Sequence, residues 1–181
     1  MSASASPSKV RRDDDGAVAT ITLADAERRN VLSAGLITDL VATLRGAIDD
    51  PAVRVIVLTN EGSTFCAGAD LAERSSIADA ADVPDLADLF SLIRSSPTPV
   101  VGRIAGHAVA GGLGLAAACD VSIAVEGARM GFSEVRLGLA PAVISVVCLP
   151  KMRPAEAAEA FLRGTRFDAV EGARLGLVNR A

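Results

Sequence analysis

Residues 106–120 read GHAVAGGLGLAAACD, with four glycines set around the start of an alanine-rich stretch that follows the apolar run Val100–Ala105. Glycine in a helix interior costs about 1 kcal/mol relative to alanine. A cluster at a helix start therefore implies backbone that must approach another group closely. The same order occurs earlier in the chain: VRVIVLTNEGSTFCAGADL at 53–71 and TPVVGRIAGHAVAGGLGL at 98–115 both run strand, loop, glycine, helix. Two such units packed side by side present two glycine-loosened helix starts near each other.

The remaining patterns agree with that arrangement. Val18–Leu23 is short, β-branched and alternating, as a strand requires. Ser33 can cap a helix that places Leu36, Ile37, Leu40, Val41, Leu44 and Ile48 on one face, and Pro51 marks its end. Val53–Thr59 is nearly continuous apolar sequence, suited to a strand covered on both sides. A helical stretch is expected after Asp70, and Pro84 can open another with Leu86, Leu89, Phe90 and Ile93 inward. Val121–Val125 alternates again, and helical patterns occupy residues 143–152 and 154–163, the second bounded by Pro154 and Gly164. Strands and helices alternating at this spacing predict an α/β fold with largely parallel pairing. The 181 residues suit one domain, taken as residues 17–181, preceded by a disordered arm at 1–16 (MSASASPSKVRRDDDG).

Composition removes several classes of function. Five Phe, no Trp, no Tyr and a net charge of −4 argue against a nucleic-acid partner. Cys66, Cys119 and Cys148 lie in apolar surroundings without C-x-x-C spacing, and there is one histidine, so reduced core thiols are expected and a zinc site is not. No apolar run approaches a membrane span, and acidic residues stand where a signal peptide needs an apolar stretch. These features predict a cytoplasmic protein with no membrane partner.

A helix N-terminus attracts anionic oxygen through its unpaired N–H groups. Gly106 and Gly111 have the separation of a phosphate-cradling loop, but Gly112 and Leu113 stand where that loop needs Lys and Ser or Thr. Gly111-Gly112-Leu113-Gly114 does not fit a dinucleotide fingerprint either. Two readings remain open: an oxyanion hole built from two loops, or glycines that only permit close helix–strand packing.

FCAGADL at 65–71, AGHAVAGGLGLAAACD at 105–120 and FSEVRLGLAP at 132–141 resemble the crotonase superfamily of enoyl-CoA hydratases and isomerases. Asn30-Val31-Leu32 and GARLGLVNRA at 172–181 fit in order and spacing, so the resemblance covers residues 18–181. It implies a crotonase-like α/β fold of repeated ββα units, with the usual C-terminal helical segment missing after GLVNRA. It further implies an acyl-coenzyme A thioester as substrate, no other cofactor, and a homotrimer or dimer of trimers where the short chain permits one.

By the same resemblance the N–H groups of Ala69 and Gly111 are the oxyanion donors and Glu134 is the acid–base carboxylate. Arg28, Ala67, Asp70 and Leu71 are placed on the substrate-binding edge. A first glutamate of typical hydratases falls at Gly114 here, so one carboxylate of two is retained. Enoyl-CoA hydration is the leading expectation; a single-glutamate double-bond isomerase and a non-catalytic acyl-CoA-binding subunit are the alternatives. Each assignment has a plainer counterpart: Glu134 paired with Arg136 on a loop, Arg28 solvated, Asp70 serving only a helix dipole. His107 is expected to be structural, since no nucleophile elbow accompanies it.

Overall fold

A computed structural model describes residues 8–70 and 84–181. In chain order the elements are β1 (Val10–Asp15), β2 (Val18–Leu23), α1 (Ala34–Ile48), β3 (Val55–Asn60), β4 (Thr64–Cys66), α2 (Leu86–Arg94), β5 (Val100–Ile104), β6 (His107–Val109), α3 (Gly111–Ala118), β7 (Val121–Ala124), β8 (Arg129–Gly131), α4 (Ala142–Cys148), α5 (Pro154–Arg163), β9 (Phe167–Asp168) and α6 (Ala169–Arg174). One sheet has the order β1-β2-β3-β5-β7, parallel except for β1 against β2. The second has the order β4-β6-β8-β9, parallel except at β9.

Local chemistry accounts for the helix limits. Ser33 Oγ accepts the Leu36 N–H at 3.3 Å, and α1 buries Leu36, Ile37, Leu40, Val41 and Leu44, with Ala47 rather than Ile48 completing the buried face. Leu36, Leu40 and Leu44 have no exposed surface, and burying each contributes about 2 kcal/mol. α2 begins two residues after Pro84 because Asp85 caps it, accepting from the Ala87 and Asp88 N–H groups at 2.7 and 2.9 Å. The helix expected at 143–152 is α4 followed by a 3-10 turn over Leu149–Lys151, since Pro150 lacks the N–H that would continue an α-helix. The helix expected after Asp70 lies outside the described residues.

The N-terminal expectation needs correction. Residues 10–15 are not a disordered arm; they pair with β2 from Val10↔Leu23 to Asp15↔Val18. The charged sequence holds because its side chains find partners: Arg12 donates to Asp14 and to Asp50, both at 2.8 Å, and to the Gly46 carbonyl at 3.0 Å. Val10 is buried at the same edge.

The core lies between the first sheet and the helices, with Ile21, Leu23, Ile56, Leu58 and Val100 fully buried. α3 is buried along its whole length and packs against both α2 and α4. A Cβ at Gly112 would lie 2.2 Å from the Cys66 carbonyl oxygen, so backbone meets backbone where α3 crosses the end of β4. That contact requires glycine at position 112, as the Ser63 carbonyl 2.4 Å from a Cβ built on Gly106 requires it at position 106. Asn179 and Arg180 run along β7, the Asn179 N–H donating to Ser122 O at 2.8 Å.

Candidate active site

β4 and β6 are neighbouring parallel strands paired at Thr64↔His107 and Cys66↔Ala108, with a bulge on β4 between the two pairs, so the loops that follow them leave in one direction. The first loop, residues 66–70, is held by the segment before α1. Ala67 N–H donates to Arg29 O at 3.1 Å, Leu32 N–H to Gly68 O at 2.8 Å and Asp70 N–H to Leu32 O at 3.2 Å. Leu32 and Ala69 form a parallel bridge whose two bonds run through Gly68 O and the Asp70 N–H, so the Ala69 N–H takes no part in it. Buried Asn30 fixes this support, its Nδ2 donating to Thr64 O at 2.8 Å and its Oδ1 accepting the Asp25 N–H at 2.9 Å.

The second loop delivers Gly111 as the first residue of α3, where an N–H has no partner within the helix. A Cβ on Gly111 would lie 3.3 Å from the Ala69 nitrogen, so the two backbones are in contact. Neither the Ala69 nor the Gly111 N–H has an acceptor among the described residues. Both residues line one pocket of about 160 Å³, together with Ala67, Ala110, Ser133 and Glu134.

Glu134 reaches the same pocket from a 3-10 turn over Glu134–Leu137 that follows β8. Its Oε2 is buried without a hydrogen-bond partner among the described residues. Burial pushes its carboxyl above the ordinary value, against a smaller opposing effect of its own backbone N–H. The expected alternative, a pair with Arg136, does not form: Arg136 Nε donates to Gly164 O at 2.7 Å. Leu86, Leu139, Pro141 and Ile144 complete an otherwise apolar wall. Two unpaired amides and an unpaired carboxylate oxygen thus share one small space, an arrangement able to stabilise a developing oxyanion and move a proton beside it.

The other expected site residues are distributed unevenly. Ala67 lines the pocket. Arg28 and Asp70 bind each other at 2.6 Å beside the 66–70 loop, and neither lines the pocket. Leu71 lies outside the described residues. Gly114 is buried in α3, and a Cβ there would lie 2.7 Å from Ile144 Cγ2 and 2.8 Å from Phe90 Cζ, so the place of a first glutamate is filled by apolar side chains. His107 sits exposed on β6, its Nδ1 accepting the Arg129 N–H at 3.0 Å, which ties β6 to β8. All three cysteines are buried and free, with burial pushing each thiol up to about 12. Sequence reasoning missed Ser133, Ala110 and Ile144. Ser133 adjoins Glu134 and Ala110 adjoins Gly111 in the chain, so both could have been found; Ile144 reaches the pocket only through tertiary packing.

The chain belongs to the enoyl-CoA hydratase/isomerase family, which it matches over residues 13–181. An enoyl-CoA hydratase from Mycobacterium avium of known structure is 40% identical with a TM-score of 0.86, the match covering 100% of this chain and 71% of that one. A Thermus thermophilus relative is 39% identical over 92% of this chain and 68% of its own length. The Mycosarcoma maydis enoyl-CoA isomerase/hydratase fer4 is 35% identical over 84% of this chain and 61% of its own. The chain thus spans between half and about two thirds of the curated relatives it matches. No helix among the described residues is long and apolar enough to cross a membrane.

Proposed function

We propose that this chain processes acyl-coenzyme A thioesters and that its reaction is hydration of an enoyl-CoA. The observation that carries the reading is the convergence of the Ala69 and Gly111 amides with the half-buried Glu134 carboxylate, its Oε2 buried and unpaired, in one pocket. The thioester carbonyl accepts from both amides. The Glu134 carboxylate takes a proton from water as the water oxygen bonds to the β-carbon, and the α,β π electrons move onto the carbonyl as an enolate. The enolate oxygen is held by the two N–H groups until the protonated Glu134 returns its proton to the α-carbon, so one water adds across the double bond. A carboxyl raised above its ordinary value is a stronger base than a solvated one, which suits that step. No further cofactor is needed. A mainly apolar cavity of about 370 Å³, which shares Ala142 and Val143 with the Glu134 pocket and is lined also by Phe90, Val146, Val147, Ser91 and Arg94, supports an apolar acyl group.

One observation favours a second reading. Glu134 is the only titratable side chain lining the pocket among the described residues, and Phe90 and Ile144 fill the space around Gly114. A single carboxylate can carry a proton from the γ- or α-carbon to the other end of an allylic system without water. Purified protein given crotonyl-CoA and a 3-enoyl-CoA separates the cases, with oxygen-18 water tracing hydration. Glu134→Gln should abolish turnover of whichever substrate is used while coenzyme A binding stays measurable; equal rates for the two proteins would remove the assignment.

The oligomer belongs to the same reading. Leu137 and Leu139 on the pocket's lining, and Val146 and Leu149 on α4 and the turn after it, are exposed apolar side chains, a surface that assembly into a trimer or a dimer of trimers would cover. Light scattering that returns a monomer at all concentrations would exclude it.

A further inference from the structure

Ala110 has φ +50° and ψ −124°, a conformation that costs a residue bearing a Cβ about 1–3 kcal/mol. These are the angles of the second residue in a type II′ turn, a position glycine normally holds. The chain has glycine at other positive-φ sites, such as Gly62, Gly68 and Gly138, and two glycines follow Ala110 directly. Here it keeps alanine.

The strained residue is clamped from both sides. Its N–H donates to Gly131 O on β8 at 2.9 Å, and its carbonyl accepts from Leu113 at 2.9 Å and Gly114 at 3.1 Å to begin α3. Between those anchors, ψ of Ala110 sets the plane of the peptide whose N–H belongs to Gly111. The methyl group has its own contact: a Cβ built on Gly68 would lie 3.0 Å from Ala110 Cβ, so the methyl abuts Gly68 at the turn that carries Ala69. One residue therefore governs the aim of the second amide and spaces it from the first.

We infer that Ala110 is a positioning residue for the oxyanion site, holding the Gly111 and Ala69 amides at the separation one carbonyl oxygen requires. This rests on the acyl-CoA reading above. Ala110→Gly keeps every backbone hydrogen bond but removes the spacer and frees φ and ψ; Ala110→Ser retains a Cβ.

Acetoacetyl-CoA is the probe, because its enolate absorbs in the near ultraviolet and a working oxyanion site lowers the pH at which the bound ligand enolises. Ala110→Gly should weaken that enolisation by about tenfold or more, with coenzyme A binding unchanged and the thermal midpoint not lowered, since glycine relieves the strain at positive φ, and Ala110→Ser should restore it. Enolisation equal to wild type in Ala110→Gly overturns the inference. So does a loss of enolisation matched by an equal loss of coenzyme A binding and of thermal stability, which marks ordinary packing. Wild-type protein that binds no coenzyme A, or binds acetoacetyl-CoA without shifting its enolisation, brings down the acyl-CoA reading itself and the role of Ala110 with it.

Discussion

The α-carbon of Gly111 faces the Ala69 nitrogen so closely that an added methyl group would stop 3.3 Å from it and 3.3 Å from Leu32 Cδ1. Gly111→Ala should therefore screen the Ala69 N–H and lower turnover by about 10²-fold, the loss typical of one oxyanion donor. Folding should survive, since alanine at a helix position is favoured over glycine by about 1 kcal/mol. Turnover of crotonyl-CoA set against a thermal melt separates the two effects, and undiminished turnover would contradict the shared-oxygen arrangement.

Glu134 predicts two linked pH effects. Turnover should rise with pH through a midpoint above 4.5, the ordinary value, because burial holds the proton on. Folded protein binds that proton more tightly than the unfolded chain, so the stabilisation it gives is full below 4.5 and is lost as pH rises through the folded value. Glu134→Gln cannot ionise and should be the more stable protein above that window, with the advantage vanishing below it. Thermal melts of both proteins at about pH 4 and about pH 8 test the sign; an advantage independent of pH would refute it.

Gly114 should invert the usual helix rule. An alanine there places its Cβ 2.7 Å from Ile144 Cγ2 and 2.8 Å from Phe90 Cζ, and overpacking of this kind destabilises by about 1–3 kcal/mol. Adding Ile144→Ala should leave the double variant more stable than the sum of the single losses. Urea denaturation of all three variants measures the coupling. Gly114→Glu alone should gain no hydratase activity, because its side chain enters space already filled.

Asn30 should rank among the most sensitive polar positions. It has no exposed surface, sits at φ +50°, and joins Glu61 O, Thr64 O and the Asp25 N–H. Asn30→Ala should lose about 3 kcal/mol by leaving those groups unpaired. Asn30→Asp should fare no better, having no donor for the two carbonyls. Chemical denaturation gives the loss, and a change under about 0.5 kcal/mol would show that water replaces the amide.

The helices were legible where their own residues decide them. Pro154 and Gly164 bound α5, and Ser33 starts α1. Ala69, Gly111 and Glu134 came from motif order and resemblance, and they do meet in one pocket. The second sheet was not legible, because β4, β6 and β8 have three residues each and β9 two, too few to display a period. β1 was hidden by its charges, whose partners Asp50 and Gly46 lie far along the chain. Glu134 shows why environment is harder to read than identity. Residues following it, Pro141 and Ile144 among them, build the apolar wall beside it, and no local pattern announces that they fold back.

The two-rung ladder between β4 and β6 has a further consequence. It brings the Ala69 and Gly111 amides to one pocket mainly through main-chain hydrogen bonding, with Asn30 bracing the first loop and the Ala110 methyl abutting Gly68, so their meeting is largely a property of the duplicated strand–loop unit. Under the proposed function, descendants of such a chain could exchange most pocket side chains apart from Ala110, and with them the preferred acyl group, while inheriting the same backbone grip on a carbonyl oxygen.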